Sequence, residues 1–204
     1  MNLSIRFLVA ASMLVGNSLL AANGSESHID ADGWTGIAQR DEIRPAFEFK
    51  KNGGPDHKGS LNIRADKREG LDGHWTKKFS VQGGQYYSFR ALRHLENVAS
   101  PRRSALVRIL WRDALGRPVH HDEPGAKSYA PGKPPVAEPE YPPDRETDSK
   151  GWTEVSDVYQ APSKATQAIV ELYQQEQQEM AASETRKFGR SKGAKEYLRK
   201  AGKL

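Results

Sequence analysis

The clustered histidines of the chain are adjacent, in the run His120-His121-Asp122-Glu123. Imidazole and carboxylate groups are common ligands of transition metals, so this run is a candidate metal site. Neighbouring side chains point to opposite sides of a strand, and a chelating pair on a helix needs a spacing of four residues. The spacing therefore favours a polar turn, and we predict no metal here.

Two pairs of carboxylates could serve calcium, which takes carboxylate and backbone carbonyl oxygens in proteins. They are Asp30 with Asp32, and Glu138 with Glu140. The spacing alone does not build a calcium site, because several parts of a chain usually supply the ligands of one ion. Structural calcium is thus a weak candidate, and no other cofactor is predicted.

The chain has no cysteine, which excludes disulfides, thiolate metal sites and every cysteine nucleophile. No Gly-x-Ser-x-Gly elbow follows a predicted strand, so a serine nucleophile is not indicated either. The paired carboxylates of a glycosidase are defined by spatial geometry, and no pair stands out. We therefore expect a protein that is not an enzyme.

Carbohydrate binding needs a flat aromatic ring that stacks on the apolar face of a sugar, and polar side chains that bond its hydroxyls. Aromatic residues at loop or outward-facing positions are candidates for the first task, and two arginines for the second. The candidate ligand-binding residues are Trp34, Tyr86, Tyr129, Tyr141, Trp152, Arg90 and Arg112. The alternative for each is a structural or incidental role.

The net charge of +5 belongs to the two ends of the chain. Residues 1–22 carry one base and no acid, residues 174–204 carry eight bases and four acids, and the middle is balanced. The central body gives no electrostatic reason to expect nucleic acid as a partner. The basic tail could bind an anionic polymer, and a solvated, partly disordered end is the alternative.

Residues 1–22 have the three-part layout of a secretory signal peptide. Arg6 precedes the apolar run Phe7–Leu20, and the small residues Ala21, Ala22 and Gly24 follow it. A membrane anchor is the alternative, but this run is shorter than the ~20 residues that span a bilayer. The sequence therefore predicts a secreted or periplasmic protein, with no membrane span after removal of the signal.

Apolar and polar residues alternate from Trp34 to Tyr173, which is the period of β-strands. The alternation runs through 75–91 on both sides of Gly83-Gly84, a pair that predicts a hairpin. Many short strands with one solvent-exposed face indicate an all-β fold, an antiparallel β-sandwich of the jelly-roll type. We expect its core to contain Trp75, Phe79, Phe89 and Trp111.

Two segments depart from this pattern. Pro118–Pro143 holds eight of the twelve prolines and predicts a long loop, either functional or mobile. Gln174–Leu204 is rich in glutamine and bases, and we expect helix over about 174–188. The predicted organisation is a signal peptide at 1–22, a β-sandwich domain at 30–173 and a helical or disordered tail at 174–204.

The run Gly151–Leu172 (GWTEVSDVYQAPSKATQAIVEL) resembles the last third of jelly-roll modules of the galactose-binding-like, carbohydrate-binding class. The runs 59–66, 75–92 and 107–119 are similar to earlier strands of such modules. The resemblance implies a β-sandwich whose partner is a glycan or a cell-surface polymer.

A narrower resemblance involves residues 40–47, 101–114 and 138–145. They look like the N-terminal sandwich that precedes a nitrilase-like carbon–nitrogen hydrolase domain in some secreted bacterial proteins. The resemblance implies an accessory role without the activity itself, because such hydrolases need a cysteine. The alternative function is therefore a truncated structural accessory domain of a carbon–nitrogen hydrolase.

Modules of this class continue after the strand that ends at Leu172 with a turn and one more strand, which completes a sheet. Here the charged tail follows instead. This departure suggests a truncated or frame-shifted coding sequence and predicts a groove where the last strand belongs. An unpaired sheet edge is a site for association with another chain. An exposed row of aromatics would instead favour carbohydrate binding.

Overall fold

The computed structural model describes residues 3–9, 31–66, 68–98, 101–123 and 132–175. The strands are β1 (Leu3–Val9), β2 (Thr35–Ile37), β3 (Ala46–Lys50), β4 (Ser60–Ala65), β5 (Asp72–Ser80), β6 (Tyr86–Glu96), β7 (Val107–Arg112), β8 (Asp144–Thr147), β9 (Trp152–Gln160) and β10 (Gln167–Gln175). Short helical turns lie at Asp41–Ile43 and Pro101–Ser104. Among the described residues, no helix has the length and apolar character that a bilayer crossing requires.

The strands form two sheets in which every pairing is antiparallel. The six-stranded sheet has the order β3-β4-β1-β6-β9-β8, and the four-stranded sheet has the order β2-β5-β10-β7. These sheets confirm the predicted all-β, antiparallel class, and the arrangement is that of a β-sandwich.

The hydrophobic core is built from the inward faces of both sheets, as the alternation of apolar residues predicts. Trp75, Phe89 and Trp111 are buried, and Phe79 packs against the same cluster. The indole Nε1 of Trp75 donates to the backbone carbonyl of Asn62 at 3.2 Å, which satisfies its polar atom. The prediction that these four aromatic residues form the core is confirmed.

The predicted hairpin at Gly83-Gly84 is wrong, because β5 and β6 belong to different sheets. The turn instead carries the chain from the four-stranded to the six-stranded sheet. Gly84 N–H donates to the carbonyl of Ala161 at 2.8 Å, and Ala161 N–H donates to the carbonyl of Gln85 at 2.9 Å. The turn is therefore paired with the bend between β9 and β10, which crosses between the sheets in the opposite direction.

Leu3–Val9 forms β1 in the middle of the six-stranded sheet, although these residues lie within the predicted signal peptide. The strand runs between β4 and β6 and is antiparallel to both. A segment that is cut off on export cannot also complete this sheet, so the two roles exclude each other in one molecule. The signal peptide itself stays a prediction.

The described part of the proline-rich segment is held beside β7 by backbone pairs. Ile109 and Glu140 exchange two N–H···O bonds of 2.9 Å, and Ala137 N–H donates to the Val119 carbonyl at 2.9 Å. Glu140 thus pairs with the edge of the four-stranded sheet at β7, and Ala137 pairs with Val119 inside the proline-rich segment, while 124–131 lie outside the described residues.

At the end of the described chain, β10 continues to Gln175, beyond the predicted domain boundary at residue 173. The predicted helix therefore does not begin at Gln174, whose backbone pairs with Gly73 of β5. The rest of the tail prediction, for 176–204, falls outside the described residues.

Candidate functional site

Of the seven predicted ligand-binding residues, one is buried and another lies outside the described residues. Trp34 is buried, with 6% of its surface exposed, and its ring meets that of Phe79 edge-on at 6.3 Å. The expectation that Trp34 faces outward is wrong, because it shares its side of the strand with Gly36, which pairs with the buried Trp75. Tyr129 lies outside the described residues.

Three other candidates, Tyr86, Arg90 and Trp152, lie on the outer face of the six-stranded sheet, where β6 pairs with β9. Tyr86 is 70% exposed, whereas Trp152 is half-buried with its ring 5.2 Å from that of His94. Tyr86 and Trp152 stand at opposite ends of this ladder, about 25 Å apart at the rise of a β-strand. They cannot contact the same sugar ring.

Arg90, between these two aromatic residues, is already paired. Its Nη2 lies 2.7 Å from Oε2 of Glu154. The hydrogen bond and charge of Glu154 raise the pKa of Arg90, and the same hydrogen bond lowers the pKa of Glu154. A ligand would have to compete with this exposed ion pair.

Arg112 and Tyr141 lie at the four-stranded sheet instead. Arg112 ends β7, and its guanidinium donates to the carbonyl of Trp111 at 3.2 Å. Tyr141 is 55% exposed. Because Glu140 pairs with Ile109, Tyr141 follows at the outer edge of β7, near Arg108.

The outer face of the four-stranded sheet carries a group of side chains that the sequence analysis did not single out. His74 lies on β5, Arg108 on β7, and Glu171 and Tyr173 on β10, which runs between those two strands. The register pairs His74 with Tyr173 and Arg108 with Glu171. The residues next to them along each strand face the core, so alternation places all four outward. We term these four residues the Arg108 cluster.

Glu171 and Tyr173 both bind the guanidinium of Arg108. Arg108 Nε lies 2.7 Å from Glu171 Oε2, and Arg108 Nη2 lies 2.6 Å from Tyr173 Oη. The guanidinium carbon is also 4.7 Å from the centre of the Tyr173 ring. Burial opposes the charge of Arg108, but the hydrogen bond and charge of Glu171 outweigh it, so the pKa of Arg108 is raised. Arg108 is therefore a fixed cation.

His74 completes the cluster on the β5 side. Its ring stacks on that of Tyr173 with centres 4.4 Å apart, and its Nε2 lies 3.7 Å from Glu171 Oε1. Burial lowers the pKa of His74, and the Glu171 carboxylate opposes this shift only in part. The imidazole is then neutral at pH 7, and it can donate one hydrogen bond and accept another.

Tyr173 is flanked by neighbours from both adjacent strands. His74 stacks from the β5 side, and the Arg108 guanidinium approaches from the β7 side. Burial, aided by the Glu171 charge, raises the pKa of Tyr173, so its phenol stays neutral. Its hydroxyl can meet a ligand, but its ring faces are occupied. Tyr141, which interacts electrostatically with Arg108, is 55% exposed.

A separate concavity of about 360 Å³ opens at one end of the sandwich. Its lining includes residues from the two candidate metal-binding segments of the proline-rich region: His121, Asp122, Glu123, Glu138 and Glu140. Asp122 is engaged there, since its carboxylate accepts from the N–H and the hydroxyl of Ser163 at 2.6 and 2.7 Å.

The described residues contain no group of three histidine or carboxylate side chains placed to hold a metal ion. The other predicted calcium pair is not assembled in the described structure, because Asp30 lies outside it. Its partner Asp32 is contacted by Lys77, whose Nζ lies 3.3 Å from the carboxylate. Structural calcium stays a prediction without a site.

Part of the Arg108 cluster was detectable in the sequence. Arg108 alternates with the apolar residues Val107 and Ile109, and Glu171 and Tyr173 lie on either side of Leu172. The sequence pattern did not show that β10 lies between β5 and β7, which is what brings the four side chains together.

Comparisons with protein-family models, with curated proteins and with solved structures find no match to this chain, so its resemblance to galactose-binding-like modules and to hydrolase-associated sandwiches stays a prediction.

Proposed function

We propose that the chain is a secreted, non-catalytic jelly-roll module that binds carbohydrate on the outer face of its four-stranded sheet. One observation carries the proposal: the Arg108 cluster holds charged and polar groups in fixed positions beside the exposed ring of Tyr141. Sugar sites combine these two features, an aromatic surface and polar groups that fix the orientation of the ligand.

The donors and acceptors of the cluster are arranged before a ligand arrives. Arg108 is held by Glu171 and Tyr173, and Tyr173 is held by the stacked ring of His74. Side chains held in this way lose little rotamer freedom on binding, which favours affinity. A carboxylate, a guanidinium, an imidazole and a phenol together can meet hydroxyls that both donate and accept.

The composition of the cluster favours binding over catalysis. It contains a single carboxylate, Glu171, which is engaged by Arg108, whereas most glycoside hydrolases use two carboxyl groups. The chain also has no cysteine that could act as a nucleophile. A ligand that docks here would be held and released unchanged.

Isothermal titration of the full chain against neutral and anionic glycans tests the proposal. Tyr141→Ala and Arg108→Gln should each weaken binding about fivefold or more, because each removes a stacking surface or a charged donor. Tyr86→Ala is the matched control, since Tyr86 is an exposed tyrosine on the other sheet. Loss of binding in Tyr86→Ala but not in Tyr141→Ala would contradict this site, and no glycan binding by the folded chain would contradict the function.

The alternative, a structural accessory domain of a carbon–nitrogen hydrolase, is favoured by one observation. The middle position of the six-stranded sheet is filled by Leu3–Val9, a segment with signal-peptide character. If residues 1–22 are removed, this position needs a strand from another polypeptide, and such a strand would attach the module to a partner protein. The glycan titration separates the two functions, because the accessory domain would bind none of the glycans.

A further inference from the structure

β1 is an interior strand of the six-stranded sheet and also part of the segment predicted to be removed on export. Its backbone pairs with β4 from Leu3–Ala65 to Phe7–Leu61, and with β6 from Ser4–Glu96 to Val9–Ala91. Removal of β1 leaves two strands whose facing N–H and C=O groups lack partners. The result is a slot between β4 and β6 that is one strand wide.

The slot opens onto the hydrophobic core. Leu61 and Ile63 on β4, and Ala91 on β6, are 4%, 0% and 1% exposed in the complete chain. Water would reach these side chains if the slot stayed empty, and covering them again is favourable. Backbone hydrogen bonding and apolar burial therefore both favour an occupant.

The register specifies the side chains that an occupant needs. The odd positions of β1 pair with the buried Leu61, Ile63 and Ala65 on β4. On β6 they pair with Leu95, Ala91 and the buried, charged Arg93. Residues that face each other in a sheet share one side of it, so alternate positions of the occupant have to be apolar. Leu3–Val9 meets this requirement with Leu, Ile, Phe and Val at its odd positions.

The middle outward position of an occupant, opposite Asn62 and His94, calls for a hydrogen-bond acceptor. Arg6 pairs with Asn62 on β4 and with His94 on β6. Asn62 Nδ2 is buried and has no acceptor, whereas the buried His94 Nδ1 lies 3.8 Å from Oε1 of Glu96. A carboxylate or an amide oxygen at this position would accept from Asn62.

We propose that the slot is a strand-acceptor site, and that the chain lacking residues 1–22 binds there an extended segment of a second polypeptide. The partner segment has apolar residues at alternate positions and an acceptor such as Asp or Asn at the middle outward position. It runs antiparallel to β4 and β6 and adds to the sheet as in other β-augmentation complexes. The proposal rests on the export and cleavage that form part of the proposed function.

Neither residues 23–30 nor residues 176–204 offer a comparable strand in their sequence. Residues 23–30 (NGSESHID) contain one large apolar residue, Ile29. The large apolar residues after Gln175 are too widely spaced for alternation: Met180, Phe188, Tyr197, Leu198 and Leu204. A partner from outside the chain is therefore favoured over the chain's own tail.

The test uses the full chain with a protease recognition site inserted after Gly24. Cleavage of the folded protein frees the N-terminal fragment to leave the slot while the rest of the chain stays intact. A fluorescent peptide of residues 2–10 is then added, and its binding is followed by fluorescence anisotropy. Peptides with Arg6→Asp and Arg6→Lys are compared, and a peptide with both Ile5→Asp and Phe7→Asp is the negative control.

We expect saturable one-to-one binding of the 2–10 peptide and none of the negative control. The Arg6→Asp peptide should bind about tenfold more tightly than the Arg6→Lys peptide, because it supplies an acceptor to the buried Asn62 donor. If every peptide fails to bind the folded, cleaved protein, the strand-acceptor site is overturned. Equal affinities of the two Arg6 variants overturn the acceptor at the middle position.

Precipitation of the cleaved protein also has a defined meaning in this experiment. A protein that precipitates alone but stays soluble with the 2–10 peptide supports the slot. Precipitation with every peptide overturns it.

Two further measurements separate this proposal from carbohydrate binding. The intact mass of the protein from exporting cells shows whether residues 1–22 have been removed, and their retention would overturn the proposal because the slot would stay closed. Glycan titration of the uncut chain tests only the outer face of the four-stranded sheet. Either binding activity can therefore fail while the other is observed.

Discussion

At the scale of single residues, the ion pair between Arg108 and Glu171 is the main contact of the outer face, because neither charge is fully solvated. The Arg108 side chain is 30% exposed and that of Glu171 11%. Loss of one partner leaves the other partly buried and unpaired. We expect Glu171→Gln to lower the free energy of unfolding by ~1–3 kcal/mol, measured by urea denaturation.

The matched control for this substitution is Glu154→Gln on the opposite sheet. It breaks the pair between Glu154 and Arg90, whose side chains are 31% and 57% exposed. Exposed ion pairs contribute little to stability, so this variant should lose less than Glu171→Gln. Equal losses in the two variants would mean that the burial of the Arg108 cluster has no energetic consequence.

His74 makes the stability of the same cluster depend on pH. Because burial lowers the pKa of His74 in the folded protein, the unfolded chain binds the proton more readily. The stability that depends on a neutral His74 is therefore complete above the unfolded-state pKa of 6.5, and it is lost as the pH falls below that value. Acidification should thus weaken the fold through this residue.

The variant His74→Phe tests this dependence, since it keeps an aromatic ring against Tyr173 but cannot titrate. We expect the unfolding free energy of the variant to fall less between pH 7.5 and pH 5 than that of the unchanged protein. Urea denaturation at both pH values measures the difference. The same pH dependence in both proteins would show that the pKa of His74 is unchanged by folding.

At the scale of elements, the two crossings between the sheets pack against each other. A Cβ at Gly83 would collide with the backbone carbonyl of Ser163, in the bend between β9 and β10. Neither side of this contact is a flexible side chain, so the backbone would have to shift. We expect Gly83→Ala to destabilise the protein by ~1–3 kcal/mol, seen as a lower melting temperature.

The neighbouring substitution Gln82→Ala is the control for Gly83→Ala, because Gln82 is exposed in the same turn. It should change stability by less than ~0.5 kcal/mol, as surface substitutions usually do. A melting temperature in Gly83→Ala that matches this control would contradict the close approach of the two crossings.

At the same turn, the local sequence pattern predicts the strands but not their pairing. Alternation over 75–81 and 87–91 correctly predicted strands on both sides of Gly83-Gly84, and β5 and β6 are there. The inference that they pair was wrong, since a period of two reports which side of a strand is buried and not which strand lies beside it.

At the scale of the molecule, the six-stranded sheet is continuous only through β1. β3 and β4 lie on one side of it, and β6, β9 and β8 lie on the other. In a chain without residues 1–22, we expect the backbone amides of β4 and β6 to exchange hydrogen faster than in the full chain. The amides of β5, β7 and β10 should keep their protection, because their ladders do not involve β1.

Hydrogen exchange of both chains, followed by mass spectrometry of peptides, measures this difference. Unchanged exchange in β4 would mean that another segment pairs with it once β1 is gone. Loss of protection in both sheets would mean that the four-stranded sheet does not hold together without β1.

The sequence by itself determined the fold class and most of the core of this protein. Trp75, Phe89 and Trp111 could be assigned to the core correctly, because the residues that a strand buries are apolar and recur at every second position. The absence of cysteine likewise excluded a class of chemistry without any structure. Both properties are local or compositional, so they can be recognised without knowing which strands are neighbours in the fold.

Only the tertiary structure decided which strands are neighbours. The Arg108 cluster exists because β10 lies between β5 and β7, and the six-stranded sheet is continuous because Leu3–Val9 lies between β4 and β6. Nearly every residue offers the same backbone donor and acceptor, so the apolar pattern of one strand does not identify the strand that pairs with it. The partner is selected by the packing of the whole core, which brings together residues as distant in the chain as His74 and Tyr173.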